Sequence, residues 1–297
     1  MKSRMRPTRK YTIKDALDIA ERHIKRMEGF ELPALQARLL LSSITNLRTD
    51  QINLHEDRRI TNDELEKINQ FLSLKHPVPV PFYLGYTEVA GLKVAVSYDT
   101  LLPGTETPIM VKTIIDQIKG MYSPVFVDIG TGCGVIAIAV AANIPGVQVY
   151  ATDLSPNALL IAEKNLELHN LQDRVSLVAG NWLEPLFKMS LQSKVDVLAA
   201  NPPYICSQDI ESLPAGFANF APRIAIDGGE DGCDGYRAIL ATSQLFLKKG
   251  TGLLILQTDN NRASVVADLL DTTGYYDNIS FILGSDNSPR IVVAKMK

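Results

Sequence analysis

Asn201, Pro202, Pro203 and Tyr204 form the stretch of the chain with the most specific chemistry. They follow the apolar run 195–200, which has the length and composition of a buried strand. A planar amino group, such as an adenine amine or a glutamine carboxamide, is a poor nucleophile because its lone pair is delocalised. The Asn201 side-chain oxygen and the Pro202 carbonyl can each accept one of its N–H bonds, which favours a lone pair aimed at an electrophile. The prolines stiffen the turn, and the Tyr204 ring offers a face for a flat group, although an ordinary turn after a strand is the alternative interpretation.

A glycine-rich turn lies between the β-rich run 125–129 and the helix-like run 135–142. Its residues are Gly130, Thr131, Gly132, Cys133 and Gly134. A strand, a glycine-rich turn and a helix in this order let the backbone approach a nucleotide-like ligand. The turn is neither a Walker A loop nor the strict dinucleotide fingerprint. After a second strand at 147–152, Asp153 is placed to accept hydrogen bonds from both hydroxyls of a ribose.

These motifs together make the chain similar to class I S-adenosylmethionine-dependent methyltransferases that methylate amino groups. The likeness is carried, in order along the chain, by Asp128 with the glycine-rich turn, by Asp153, and by the stretch from Asn201 to Tyr204. Within that class the chain resembles the HemK/PrmC family, the glutamine N5-methyltransferases that modify the Gly-Gly-Gln loop of peptide-chain release factors. The resemblance covers nearly the whole chain. The helical N-terminal segment also matches the family, as do residues 81–86, 101–103, 181–182 and 228–232.

The resemblance implies S-adenosyl-L-methionine as the cofactor, a release factor as the protein partner, and a role for each motif residue. Asp128 would orient the glycine-rich turn or meet the cofactor's ammonium group through water. Asn181 would meet the adenine amine and Trp182 would cover the ring, with core packing as the alternative for Trp182. The predicted cofactor-binding residues are Asp128, Gly130, Thr131, Gly132, Cys133, Gly134, Asp153, Leu154, Asn181, Trp182 and Asn201. The predicted catalytic residues are Asn201, Pro202 and Tyr204, and Pro203 completes the substrate-binding set.

Several positions depart from the family's pattern. Where the family carries Pro-Arg-Pro-x-Thr-Glu, the arginine and the last glutamate are replaced here by Gly104 and Pro108. The family's Glu-Pro pair is Ala221-Pro222, and Gln257 stands where a glutamate is usual. These departures bear on which protein is the substrate and leave the cofactor motifs untouched.

Composition favours a cytoplasmic enzyme without a metal. The 297 residues are 46% hydrophobic and carry a net charge of −3, which disfavours a nucleic-acid substrate because affinity for phosphates comes from Lys and Arg. The cysteines and histidines lack the spacing of a disulfide framework or a metal site. The first thirty residues lack the apolar stretch of a signal peptide, and no apolar run is long enough for a membrane span.

The predicted fold is α/β: a Rossmann-like, doubly wound parallel sheet of the class I methyltransferase type with an antiparallel C-terminal strand pair, plus a small N-terminal helical domain. The predicted domains are residues 1–75, helical and substrate-docking; 76–104, a hairpin linker; and 105–297, the methyltransferase domain. Helices are expected from Thr12, after Pro33 and from a capping box of Thr61 and Glu64. Strands are expected near residues 125, 148, 176, 196 and 253, with helices near 108–119, 135–143, 156–169, 234–248 and 261–271.

Other functions remain open on the sequence. An adenine-N6 methyltransferase acting on RNA or DNA would share residues 201–204, because adenine presents the same flat amine. A divergent member of the family could methylate a glutamine of another protein. A non-catalytic relative could bind the cofactor or a partner, although paired amine acceptors would then have no use.

Overall fold

The structure is a computed structural model that describes residues 5–6, 9–27, 29–30 and 32–297. The chain forms two compact units. The first is Met1–Glu88 with Leu213–Phe220, and the second is Val89–Ser212 with Ala221–Lys297. The segment Leu213–Phe220 therefore joins the helical first unit although it is distant from it in sequence.

The first unit is built from helices, three of which were expected from the sequence. They are α1 (Ile13–Lys25), α2 (Pro33–Thr45), α3 (Asn62–Leu72), α4 (Val80–Leu84) and, much later in the chain, α8 (Ala215–Ala218). Thr61 caps α3 as predicted: its side chain accepts from the Glu64 N–H at 3.2 Å, and the Glu64 carboxylate accepts from the Thr61 N–H at 2.8 Å. Glycine commonly ends a helix, so the sequence predicts that the first helix stops at Gly29. Helix α1 ends earlier, at Lys25, with Arg26 as its C-cap.

Aromatic side chains tie the late segment into the first unit. The Phe220 ring stacks on Phe82 with 5.8 Å between centroids, and it meets the Phe30 ring edge-on at 6.0 Å. Such pairs stabilise a fold beyond the area that they bury. Nothing in the spacing of Phe30, Phe82 and Phe220 along the chain predicts this cluster.

A two-stranded hairpin follows the first helices, with strands β1 (Tyr86–Val89) and β2 (Leu92–Ala95). The two residues of its turn are Ala90, at φ 49°, and Gly91, at φ 79°. Both lie in the left-handed region, as a tight type I′ turn requires.

The second unit contains a seven-stranded sheet in the order β5-β4-β3-β6-β7-β9-β8. The parallel strands are β3 (Val125–Ile129), β4 (Gln148–Asp153), β5 (Val175–Ala179), β6 (Val197–Ala200) and β7 (Leu253–Gln257). The antiparallel pair is β8 (Tyr276–Leu283) and β9 (Pro289–Met296). The chain runs outward from β3 to β5 on one side and from β6 to β7 on the other, so the switch point lies between β3 and β6. A ligand crevice is expected there, at the carboxyl ends of the strands.

Helices cover both faces of this sheet, so the predicted doubly wound fold with an antiparallel closing pair is confirmed. One face is covered by α5 (Thr107–Ile118), α6 (Val135–Asn143) and α7 (Pro156–His169), and the other by α10 (Asp234–Leu240) and α11 (Ala263–Thr273). The short helix α9 (Arg223–Ile226) lies between β6 and β7 in the chain. Helix α10 is shorter than the predicted span 234–248, and a 3₁₀ turn, Ser243–Leu245, follows it. The buried hydroxyls of Ser243 and Tyr276 share a hydrogen bond of 2.6 Å at this break. The local sequence pattern favours a longer helix here, but Ser243 instead forms a hydrogen bond with the distant strand β8.

Among the helices described, none has both the length and the apolar composition that a membrane span needs. In the same residues, His, Cys, Asp and Glu side chains form no cluster of three or more that could hold a metal ion.

Candidate active site

The glycine-rich turn connects β3 to α6. Its three glycines share an unusual backbone conformation but differ in the space around them. Gly130, Gly132 and Gly134 have φ values of 69°, 56° and 81°, which other residues rarely adopt. A Cβ at Gly130 or Gly132 would meet no protein atom within 4 Å, so these two leave space for a ligand beside the backbone. A Cβ at Gly134 would lie 3.0 Å from the Cβ of Ala162, because α6 packs closely on α7 there.

Asp128 lies beneath this turn and orients it. Its side chain is buried, and its Oδ2 accepts from the Thr131 hydroxyl at 2.7 Å and from the Ala137 N–H at 3.2 Å. Burial raises the pKa of this carboxyl to about 6. Asp128 does not line the cavity described below, so of its two predicted roles the geometry favours holding the turn.

The buried carboxyl of Asp128 should make stability depend on pH. A carboxyl whose pKa is raised by folding stabilises the fold below its unfolded pKa, and this contribution is lost as the pH rises through the folded pKa of about 6. The free energy of unfolding of Asp128→Asn minus that of wild type should therefore rise by about 2 kcal/mol between about pH 4 and pH 7.5. Urea unfolding at both pH values measures this difference.

Any hydrogen bond lost in Asp128→Asn lowers the stability of the variant equally at both pH values. It therefore does not affect the change of the stability difference with pH. The asparagine oxygen can still accept from Thr131 and Ala137, since both donate to one oxygen in the wild type. An equal stability difference between the two proteins at both pH values would contradict the raised pKa.

Asp153 ends β4 and links the turn to the start of α7. Its Oδ2 accepts from the Gly132 N–H at 2.8 Å, and its Oδ1 accepts from the Ser155 N–H at 2.8 Å. A carboxylate offers about four lone-pair sites, so both oxygens can accept further hydrogen bonds from a ligand. Leu154 follows Asp153, and its exposed side chain lines the cavity described below.

Asn181 and Trp182 follow β5 and line the same cavity. Trp182 has a φ of 46°, an unusual backbone conformation for a bulky residue. A Cβ at Gly235 would lie 3.0 Å from Cη2 of Trp182 and 2.9 Å from Cβ of Pro202. Gly235 thus allows the indole and the proline turn to approach the same backbone. Trp182 packs on the core and also faces the cavity, so both of its predicted roles are compatible with its position.

The stretch from Asn201 to Tyr204 follows β6 and is held by a neighbouring strand-like segment. The Ile205 N–H donates to the Ile226 carbonyl at 3.0 Å, and the Gly228 N–H donates to the Ile205 carbonyl at 2.8 Å. A Cβ at Gly228 would lie 2.8 Å from the Pro203 oxygen, so this packing requires glycine. Tyr204 is half-buried against the core and does not line the cavity, unlike Asn201, Pro202 and Pro203.

A cavity of about 350 Å³ in the second unit brings most of the predicted residues together. Of the predicted set it is lined by Gly130, Thr131, Gly132, Cys133, Asp153, Leu154, Asn181, Trp182, Asn201, Pro202 and Pro203, and not by Asp128, Gly134 or Tyr204. Two buried oxygens of lining residues, Asn201 Oδ1 and Thr152 Oγ1, have no hydrogen-bond partner among the described residues. An unpaired buried acceptor is costly, so these atoms indicate a site for a polar ligand.

Several lining residues were not singled out by the sequence. They are Asp99, Thr100, Thr107, Thr152, Ser155, Gly180, Ile224, Ala225, Asp227, Asp234 and Gly235, together with Val135 and Ile136 of α6 and Ala158 of α7. The glycines around 228–232 were a signal that this segment approaches other backbone closely. Residue types alone gave no reason to place Asp99 or Ile224 at a site.

Comparisons with known proteins agree with this geometry. The family model of the methyltransferase small domain matches residues 96–230. A release factor glutamine methyltransferase of Moorella thermoacetica is 33% identical over 268 residues, covering 90% of this chain and 92% of that protein. One of Geobacter sulfurreducens is 30% identical over 268 residues, covering 90% and 91%. A solved methyltransferase from Pyrococcus furiosus, 20% identical, covers 70% of this chain and 89% of its own with a TM-score of 0.51, which shows a shared fold.

Proposed function

The chain belongs to the family of release factor glutamine methyltransferases, and from this premise we propose that it methylates the glutamine side-chain amide in the Gly-Gly-Gln motif of a peptide-chain release factor. The resemblance and the class I methyltransferase fold expected from the sequence are thereby confirmed. The chain is a methyltransferase that depends on S-adenosylmethionine. We also propose that it works in the cytoplasm, where translation terminates.

The observation that carries the proposal is the unpaired oxygen of Asn201. Its Oδ1 is buried and lacks a partner among the described residues, and Pro202 beside it lines the same cavity. A carboxamide that donates one N–H to Asn201 and the other to the Pro202 carbonyl would satisfy that oxygen. Both N–H bonds would then be held while the nitrogen lone pair points away from them, which is the geometry for attack on a methyl group.

The rest of the cavity fits a nucleoside cofactor. Gly130 and Gly132 leave open space beside the backbone, and Asp153 retains lone pairs for a ribose diol. We assign the indole of Trp182 and the exposed Leu154 side chain to the adenine ring, since both are apolar and line the cavity. When bound, S-adenosylmethionine supplies a methyl group activated by its sulfonium. Asn201 and Pro202 would orient the amide toward that group.

We further propose that the helical residues 1–75 dock the release factor, as the family likeness implies. Contacts remote from the reacting amide add binding that a short peptide lacks. The kcat/KM for intact release factor should therefore exceed that for a Gly-Gly-Gln peptide by about tenfold or more, mainly through KM. Steady-state transfer of radiolabelled methyl groups by the full chain measures both values. Equal values for factor and peptide would contradict docking.

The same assay tests the substrate. Intact release factor, ribosomal protein, tRNA and duplex DNA are incubated separately with the enzyme and radiolabelled methyl donor. Label should enter only the release factor and should be absent from a matched factor whose Gly-Gly-Gln glutamine is replaced by alanine. Labelling of tRNA or DNA without labelling of the factor would support the adenine-N6 alternative, and its rate would fall steeply with salt.

A further inference from the structure

We propose that the carboxylates lining the cavity make it selective for the cationic methyl donor over its neutral product, and that Asp99 is a specificity-determining residue for this choice. The inference rests on the proposed function, because it concerns the same cavity and the same cofactor. It adds a role for a residue that neither the motifs nor the family likeness marks.

The charged side chains around the cavity all have one sign. They are Asp99, Asp153, Asp227 and Asp234, and no Lys, Arg or His is found among the described residues that line it. Cys133 also lines the cavity, but burial raises the pKa of its thiol to about 11, so it stays neutral at pH 7. The cavity therefore presents negative charge to whatever enters it.

Two of these carboxylates pair with an arginine: Asp227 with Arg223, and Asp234 with Arg237, which also pairs with Asp231. Asp227 accepts from Arg223 Nε at 3.0 Å, and Asp234 accepts from Arg237 Nη1 at 3.1 Å. A hydrogen bond from Ser207, with help from the Gly229 N–H and Arg223, holds the pKa of Asp227 below its usual range. Each of these two aspartates thus has an arginine partner that offsets part of its charge.

The other two carboxylates have neutral donors. Asp99 accepts from the Asn157 side-chain amide at 3.1 Å and from the Ser97 hydroxyl at 3.1 Å. Asp153 accepts from two backbone N–H groups. Neither forms a salt bridge within the part of the chain that the structure describes. Because Asp153 is already assigned to the ribose, Asp99 is the uncompensated charge that can be changed without removing a proposed ligand contact.

The two ligands differ by one positive charge. The methyl donor carries a sulfonium, an ammonium and a carboxylate, so its net charge is positive. During transfer the nitrogen–methyl bond forms, the sulfur–methyl bond breaks with its electron pair left on sulfur, and the amide nitrogen releases a proton to solvent water. The product thioether then has no net charge. Negative side chains around the cavity attract the donor more than the product, which favours exchange of product for fresh donor after each turnover.

The expected effect of one exposed carboxylate is modest, since water and salt screen it. In titration calorimetry at low ionic strength, Asp99→Asn should weaken S-adenosylmethionine binding by about threefold or more. Binding of S-adenosylhomocysteine should change by less than about twofold, because it has no net charge to attract. Added salt should reduce the difference between wild type and variant.

Two further variants make the test specific. Asp99→Glu keeps the charge and should keep the wild-type preference, and Asp271→Asn removes an exposed carboxylate of α11 and should leave both affinities unchanged. Equal weakening of both ligands in Asp99→Asn, or no change in either, would overturn the role of Asp99. If wild type binds neither ligand, the proposed function fails first and the inference fails with it. A thermal melt of each variant confirms that it is folded.

Discussion

Asn201→Ala should slow methyl transfer by about two orders of magnitude or more while cofactor affinity stays within a few-fold, the scale seen when one preorganised polar partner of a transition state is removed. The structure adds a reason to expect a folded variant. Because Oδ1 of Asn201 has no hydrogen-bond partner among the described residues, truncation removes an unsatisfied acceptor and leaves no new one behind. Single-turnover transfer to release factor, together with calorimetry on S-adenosylmethionine, separates chemistry from binding.

The matched control for this change is Asn143→Ala. Asn143 ends α6, and its amide donates to the Ala139 carbonyl of the same helix at 2.8 Å, outside the cavity. That variant should transfer methyl groups at the wild-type rate. A near-normal single-turnover rate for Asn201→Ala would mean that another group holds the target amide.

Asp153→Ala should weaken S-adenosylmethionine binding by at least about tenfold, since each charge-assisted hydrogen bond contributes roughly 1.5 to 3 kcal/mol. Its carboxylate also accepts from the Gly132 and Ser155 N–H groups, so its loss removes an acceptor from the glycine-rich turn as well as from the ribose. Direct loss of ligand contacts and disorder of the turn would both lower the affinity measured in calorimetry.

Ser155→Ala tests whether loosening the backbone next to Asp153 is by itself enough to lower the affinity. Ser155 caps α7 by accepting from the Ala158 N–H at 3.2 Å, and its removal costs about 1 kcal/mol of stability without touching the Asp153 carboxylate. Near-normal affinity in Ser155→Ala with a large loss in Asp153→Ala would support direct binding by Asp153. Unchanged affinity in a folded Asp153→Ala variant would remove Asp153 from the site.

The central part of the cavity could be predicted because its residues end strands or come directly after them. The glycine-rich turn follows β3, Asp153 is the last residue of β4, and Asn201 follows β6. These three strands pair in parallel around the switch point. The carboxyl ends of parallel strands meet at one edge of a sheet, so the order of strands along the chain is enough to gather these side chains. The capping box at Thr61 was predictable for a similar reason, since its hydrogen bonds span only three residues.

The part of the cavity wall formed by Asp99 and by residues 224–235 could not be predicted in this way. Asp227 and Asp234 reach it because the segment after Tyr204 pairs with Ile226 and Gly228, a contact between residues more than twenty positions apart. Asp99 and Ile224 lie in stretches with no motif, and they line the cavity only because of how distant segments of the chain pack together. Loops that close over such distances are guided by packing at both ends and carry little local pattern.

Local pattern was enough for the five parallel strands, for most of the longer helices, and for the positions of the glycine-rich turn and of Asn201 after their strands, because the interactions that form them span a few residues or one strand crossover. Only the tertiary structure decided that Asp128 is buried under the turn, that Tyr204 lies off the cavity wall, and that Phe220 packs with Phe30 and Phe82. Burial and side-chain contact depend on which distant segments cover a residue, and that depends on how the whole chain packs.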